Sequence, residues 1–402
     1  MTWSCGEIKN LDALLSNYLG ETKTIHDVKI KKLSQPGENL GSIIYGLDIT
    51  VKHKNDENEE LLHVIAKVLP KAEHIREMFE IQTTYTNEMA FYKIIIPTLK
   101  ELQEEHGIRI NLIEDHFAKC YSVRKNLLGN DDKIDDDAVL LLENLISTGF
   151  INIDKRKGFD IDTAQMVLRS LVQFHGVSLA LKIKKPDLFK RNILPYCNNF
   201  FKKGSIFSTA IDLFGITVNK NEETKEILSK IKGWNEVDYS SPKEPFSTLV
   251  HDDLWTNNTM QKFENGKPVS NKLVDFQLIT HASPAADLFF YIWTSIPLPL
   301  IKTHLDHFIK YYHDNLIGTL QLYGIDTAPF SFQAFLDEIE NITPFQIIHA
   351  AYFTIIAIHG PKGGFNPDRL PTIEELYSAA TDEAREKIWY MVKECHRRGW
   401  FK

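Results

Sequence analysis

The chain has 402 residues, 43% hydrophobic and 25% charged, a balance that suits a globular protein with a sizeable core and, at this length, more than one lobe. A net charge of −8 without a dense basic stripe excludes nucleic acid as a main partner. Cys5, Cys120, Cys197 and Cys395 form no C-x-x-C pair, which excludes a zinc ribbon or thiol redox motif and fits a reducing compartment.

The amino terminus shows no basic stretch leading into an apolar one, so no signal peptide is expected. Residues 9–20 have helical periodicity closed by Gly20. Two β-rich runs follow, Ser42 to Val51 and Leu61 to Leu69, joined by a charged segment suited to a hairpin loop. A long helical stretch from Ile75 to Leu102 should be interrupted or kinked by Pro97. Ala118 to Val123 and Ala138 to Leu142 read as further strands, with the acidic run Asp131 to Asp137 between them as a solvated loop. Beyond Leu142 the pattern turns helical: Thr163 to Lys184, Thr224 to Ile231, Leu300 to Tyr323 and Phe332 to Ile342. The longest apolar segment, Leu288 to Ile301, contains Pro297 and Pro299 and is too short to span a bilayer. The expectation is a cytoplasmic protein with no membrane span.

The most informative stretch lies between Val250 and Gln277. It reads His251-Asp252-Asp253-Leu254-Trp255-Thr256-Asn257-Asn258, then Leu273-Val274-Asp275-Phe276-Gln277. A carboxylate followed five residues later by an amide matches the Asp-x-x-x-x-Asn of a kinase catalytic loop, where the Asp faces the acceptor hydroxyl and the Asn holds a metal. Met260 to Phe263 and Asn271 to Val274 flank Asn265-Gly266, a hairpin signal that would bring Asp275 back beside Asn258. Asp275 then supplies the carboxylate that Mg²⁺ needs beside phosphate oxygens. Taken singly, His251 reads equally as a core histidine and Asp252-Asp253 as a turn. The order of the whole set favours phosphoryl transfer.

The amino-terminal part offers the nucleotide contacts. Gln35 to Ser42, with Asn39, precedes the first strand and could cover phosphates with backbone N–H groups and the Ser42 hydroxyl, or be a plain loop. Lys67 sits inside an apolar strand; alternation puts Ile65 on its face, so Ile65 can meet adenine while Lys67 reaches the α/β-phosphates. An edge-strand guard is the other reading of Lys67. Its carboxylate partner is Glu77, Glu80 or Glu88, among which periodicity does not choose.

These residues together resemble the ecdysteroid kinase-like family, a branch of the aminoglycoside phosphotransferase and choline kinase group. The resemblance rests on Gly37-Glu38-Asn39, Lys67 with Leu69-Pro70, Glu88-x-x-x-Tyr92 with Pro97 behind it, Leu142 to Leu145 with Gly149-Phe150, and Phe174-His175. Its most specific parts are His251 to Asn258, Val274 to Gln277 and Ser283 to Leu288. It implies an α+β, two-lobed protein kinase-like fold: a small β-rich lobe of residues 1–142 that binds nucleotide and a larger, mainly helical catalytic lobe of residues 143–402.

The resemblance further implies Glu88 as the partner of Lys67, and Glu143, Asn144 and Leu145 as the linker whose backbone reads the adenine edge. It makes Asp253 the base, Asn258 and Asp275 the metal ligands, and Asp287 a structural residue bonding back to the catalytic loop. Asp252 departs from the pattern, since related phosphotransferases commonly have glycine there. The expected activity is ATP- and Mg²⁺-dependent phosphorylation of a small-molecule hydroxyl, a steroid alcohol such as an ecdysteroid being one candidate. An amino alcohol, sugar, phenol or glycoside is the alternative acceptor, and a non-catalytic nucleotide binder the alternative class. Phe289, Phe290, Tyr291, Trp293, Tyr352 and Phe353 read chiefly as core, and Trp255 as packing or substrate contact. Oligomeric state is not legible.

Overall fold

In the computed structural model, residues 3–33, 41–54, 59–110, 112–129, 133–197, 205–236, 243–361 and 371–402 are described. The small lobe is a five-stranded antiparallel sheet of β1 (Lys23–Lys32), β2 (Ile43–His53), β3 (Glu59–Val68), β4 (Cys120–Arg124) and β5 (Val139–Glu143), in the order β1-β2-β3-β5-β4. Strand alternation splits its apolar residues between two cores. Leu47, Ile49, Val51, Val64, Ala66, Val68, Val139 and Leu141 face the short helices α1 (Leu11–Leu14) and α2 (Ser16–Leu19). Ile65, Leu69, Leu140 and Leu142 belong to the main core shared with the large lobe.

Four expectations change here. Residues 9–20 form two short helices broken at Leu15, not one. The strand β1 precedes the first expected strand; only Ile25 in it is fully buried, and its lysine-rich opposite face masks the alternation. The helical stretch is interrupted ahead of Pro97, as expected, and breaks a second time at Glu80, whose φ of 43° separates α3 (Glu73–Met78) from α4 (Ile81–Ala90). After α4 a π-turn, Phe91–Ile95, leads into α5 (Ile96–Glu105). That widened turn opens the backbone ladder just where the Pro97 ring would strike the carbonyl one turn back. The described part of the acidic run is also more engaged than a solvated loop: Asp136 pairs with Arg76 at 2.6 Å and Asp137 with Lys9 at 2.9 Å.

The large lobe is built around α6 (Ile161–Lys184), started by Asp160, whose side chain accepts from Thr163 N–H. Before it, β6 (Phe150–Ile151) pairs with the hairpin of β8 (Thr259–Glu264) and β9 (Lys267–Leu273), while β7 (Thr248–Val250) pairs with β10 (Thr280–Ala282). The hairpin turns at Asn265 and Gly266 with φ of 52° and 75°, as the Asn-Gly signal requires. The remaining helices are α7 (Pro186–Asn192), α8 (Ser205–Asn219), α9 (Glu222–Lys230), α10 (Pro284–Ser295), α11 (Leu298–Leu322), α12 (Phe332–Phe353, continued by a π-turn Thr354–Ile358), α13 (Ile373–Ala379) and α14 (Asp382–Arg397). Two helical segments, Ile161–Lys184 and Phe332–Ile358, are long and apolar enough to cross a membrane, but 83% and 67% of their apolar windows are buried in the large lobe. They are its core.

Candidate active site

Lys67 is where the two lobes meet chemically. On β3 it points away from the core of Val64, Ala66 and Val68, and its ammonium lies 2.6 Å from Glu88 Oε2 on α4 and 2.8 Å from Asp275 Oδ1 beyond β9. Lys67 is 4% exposed and Glu88 1%, so neither charge could persist there alone. Burial works to strip the lysine of its proton, but the two carboxylates outweigh it and raise its pKa. Burial also raises Glu88, against the pull of Lys67 and of the Phe276 backbone N–H. Glu77 and Glu80 are exposed on the other side of the break, so geometry selects Glu88.

The loop that carries the Asp-x-x-x-x-Asn motif runs from β7 to β8, and Asp287 shapes it. Starting from the first turn of α10, its carboxylate accepts from His251 N–H at 2.7 Å and Asp252 N–H at 2.8 Å, and pairs with His175 Nε2 of α6 at 2.9 Å. His175 Nδ1 in turn meets the Tyr312 hydroxyl at 2.6 Å. Burial pushes the Asp287 pKa up, yet His175, His251 and these N–H groups together hold it below the usual carboxylate value. Buried His251 stays neutral and donates through Nε2 to the Val274 carbonyl at 3.0 Å, tying the loop to the strand end that carries Asp275. The structural role expected of Asp287 matches this geometry.

Asp252 occupies a left-handed conformation, φ 62°. That explains the glycine common at this place in related enzymes: the turn needs positive φ, which glycine adopts freely and aspartate tolerates. We expect Asp252→Gly to keep transfer within about threefold of the parent, whereas Asp252→Val destabilises the fold by about 1–2 kcal/mol in urea denaturation, the cost of a left-handed residue with no local bond to offset it.

Asn258 closes the loop. Its amide nitrogen donates to both the Asp253 carbonyl and Asp253 Oδ2, each at 2.8 Å. With the nitrogen so used, Oδ1 is the end that can ligate a cation. Val274 N–H donates to the Asn258 carbonyl at 2.9 Å, so the hairpin returns Asp275 beside Asn258 as its spacing predicts. Asp275 also sits at positive φ, 68°, a strained position of the kind that persists where surroundings overdetermine it. The surroundings here are rings. Phe276 stacks on Phe91 of the π-turn with centroids 3.6 Å apart and planes 9° apart, and is met edge-on by Phe117 and Phe174 and at a tilt by His251.

Asp253 is only partly buried, but burial, then the nearby Asp275, push its pKa well up against the Asn258 hydrogen bond. Two carboxylates facing one ammonium, with a third beside them, gather three acidic groups around Lys67. Among the described residues no cluster of three or more His, Cys, Asp or Glu could hold a metal ion. Mg²⁺ does not need one, because it takes one or two protein oxygens and completes its shell with phosphate and water. Asn258 and Asp275 fit that requirement.

Ile65 is partly exposed on the Lys67 face of β3, as alternation predicts, and Ser42 is buried at the start of β2. Asn39, with Gly37 and Glu38, lies outside the described residues. In the linker, Glu143 N–H donates to the Lys119 carbonyl at 2.8 Å and Asn144 N–H to the His63 carbonyl at 3.3 Å. Leu145, the third linker residue, is buried at the start of a short 3-10 turn, Leu145–Thr148. A cavity of about 390 Å³ among Met89, Lys93, Val123, Arg124 and Tyr196 includes none of the expected site residues. Sequence reasoning assigned no task to His175, Tyr312 or Phe91. Their only signal was position: His175 and Phe91 lie inside the motifs, and Tyr312 carries none.

A two-lobed fold with a strand lysine, a helix glutamate, an Asp-x-x-x-x-Asn loop and a strand-end Asp defines a protein kinase-like phosphotransferase. The chain belongs to the ecdysteroid kinase-like family, whose model matches residues 36–325, and is a phosphotransferase acting on small hydroxyl-bearing substrates. No curated protein matches it. Among solved structures it is similar to a choline kinase from Cryptosporidium parvum Iowa II (12% identity, 93% of this chain and 91% of that one, TM-score 0.45). It is also similar to a wild-type aminoglycoside 2'-phosphotransferase in complex with GDP (11% identity, 96% and 98%, TM-score 0.42). A third is an ethanolamine kinase from Plasmodium vivax (12% identity, 93% and 84%, TM-score 0.38).

Proposed function

We propose that the protein transfers the γ-phosphate of ATP to an alcohol on a small molecule, with an ecdysteroid or other steroid hydroxyl as the first acceptor to test. The observation that carries this reading is Lys67 held between Glu88 and Asp275. It supports a role in which Lys67 offers a fixed positive charge to phosphate oxygens and Asp275 is the carboxylate that would turn to a cation. Asn258 Oδ1 and Asp275 would hold Mg²⁺, which when bound would neutralise charge on the phosphate oxygens, and Glu88 would keep the Lys67 ammonium in place. Asp253, oriented by the two Asn258 hydrogen bonds, accepts the acceptor hydroxyl's proton. Leu145 N–H and the Ile65 side chain receive the adenine. The division falls between residues 142 and 143, and the site of action is the cytoplasm.

The test is thermal shift with ATP and Mg²⁺, followed by transfer of labelled γ-phosphate to a panel of steroid, phenolic, sugar and amino alcohols. Stabilisation by nucleotide together with a labelled steroid supports the reading. Labelling only of another class moves the acceptor and keeps the kinase. Failure of ATP and Mg²⁺ to stabilise the protein defeats it.

A further inference from the structure

Asp275 stands at φ 68° just past the end of β9, a backbone that persists where the chain is held on both sides. Phe117, at the entry to β4 of the small lobe, holds both. Its ring meets Phe276 edge-on at 5.2 Å, one residue after Asp275. Its backbone pairs with Leu273 as an isolated parallel bridge, two residues before Asp275. Its carbonyl accepts from the Lys272 ammonium at 2.7 Å. The strand end that carries Asp275 is therefore clasped by the small lobe, although β9 pairs along its length with β8 of the large one.

Lys272 is the polar half of this clasp. Side chains alternate along β9, so Leu273 enters the main core while Lys272 shares the opposite face with Met260, its partner across the hairpin. There its ammonium lies 3.8 Å from Glu143 Oε2 of the linker and 5.9 Å from the centre of the Phe150 ring. Glu143 is itself fixed. Its Oε2 accepts from Lys119 N–H at 3.2 Å, and its own N–H donates to the Lys119 carbonyl at 2.8 Å. A chain of contacts thus runs from the linker, through Lys272, to the strand end. A strand lysine of no consequence keeps its ammonium in water; here the side chain is 15% exposed and donates to a backbone carbonyl of the other lobe.

We propose that Lys272 is a positioning residue: it pins the strand end to Phe117 and Glu143 and so presents the Asp275 carboxylate to the cation. This rests on the proposed metal-ligand role of Asp275. Lys272 acts through the backbone and touches neither nucleotide nor metal. Cutting its bond frees one flank of Asp275 and leaves the ring contacts on the other flank, and the core they fill, in place. What it governs is how tightly the cation is held, not how the base is read.

The experiment measures, by calorimetry on the full chain, the affinity for a non-hydrolysable ATP analogue with Mg²⁺ and with EDTA, and the affinity for AMP without metal. The gain in analogue affinity that Mg²⁺ brings should fall about tenfold or vanish in Lys272→Met, the lower end of what one hydrogen bond to a charged group is worth. AMP affinity should stay within about twofold. Lys272→Arg, which keeps a charged donor, should retain most of the gain. Lys272→Gln, a shorter side chain, gives the same comparison where the methionine variant does not fold. An unchanged gain overturns the inference alone, whether or not the melting temperature falls. So does AMP affinity that drops as far as the gain, which would place Lys272 on the base. A parent protein that binds the analogue no better with Mg²⁺ than with EDTA overturns the metal-ligand reading of Asp275 and this inference with it.

Discussion

Asp253→Asn lowers phosphoryl transfer by about 10²–10⁴-fold, the range typical of removing a positioned general base. The substitution keeps the shape of the side chain and a partner for Asn258, so the loop anchored by Asp287 is undisturbed. What it removes is the ability to take a proton. Stabilisation by ATP and Mg²⁺ in a thermal-shift assay should therefore survive, because the groups proposed to hold them, Lys67, Asn258 and Asp275, are all present. Loss of labelled product with retained nucleotide stabilisation is the expected pattern. Normal turnover would show that another group serves as base, or that the acceptor needs none.

Asp275→Ala should have the opposite signature, abolishing stabilisation by ATP and Mg²⁺ and transfer together. The protein itself should still fold, since Lys67 keeps Glu88 at 2.6 Å and is not left as an unpaired buried charge. Alanine at φ 68° adds a backbone cost of about 1–2 kcal/mol, so part of any fall in melting temperature is conformational. Asp275→Asn separates the two effects: asparagine tolerates that backbone and keeps an oxygen, but brings no negative charge to the cation. If Asp275→Asn binds Mg²⁺ and ATP as the parent does, the carboxylate is not the metal ligand.

The site was more legible in the sequence than the fold around it. Asn265-Gly266 declares the hairpin because two successive residues at positive φ admit few side chains, and the hairpin length then fixes where Asp275 lands. Lys67 stands out because an ammonium inside an apolar strand needs a reason. Its partner did not stand out: Glu77, Glu80 and Glu88 have equal claims by periodicity, and the break at Glu80 that exposes the first two is a backbone event without a proline or glycine to announce it. The extent of helix α10 was hidden for a different reason. From Pro284 to Ser295 every residue is buried, so no polar face marks a period. The strand β1 has the reverse problem, being too polar on an edge to look half-buried. The role of His175 depends on Asp287, more than a hundred residues away, and on Tyr312 beyond that, contacts that no local pattern encodes.

The stack of Phe91 on Phe276 joins the helix bearing Glu88 to the residue after Asp275. An inactive state that swung either element outward would have to pull a ring from between its neighbours and empty the middle of the molecule. The placement of Glu88 relative to Asp275 is thus bound up with the packing of the core itself.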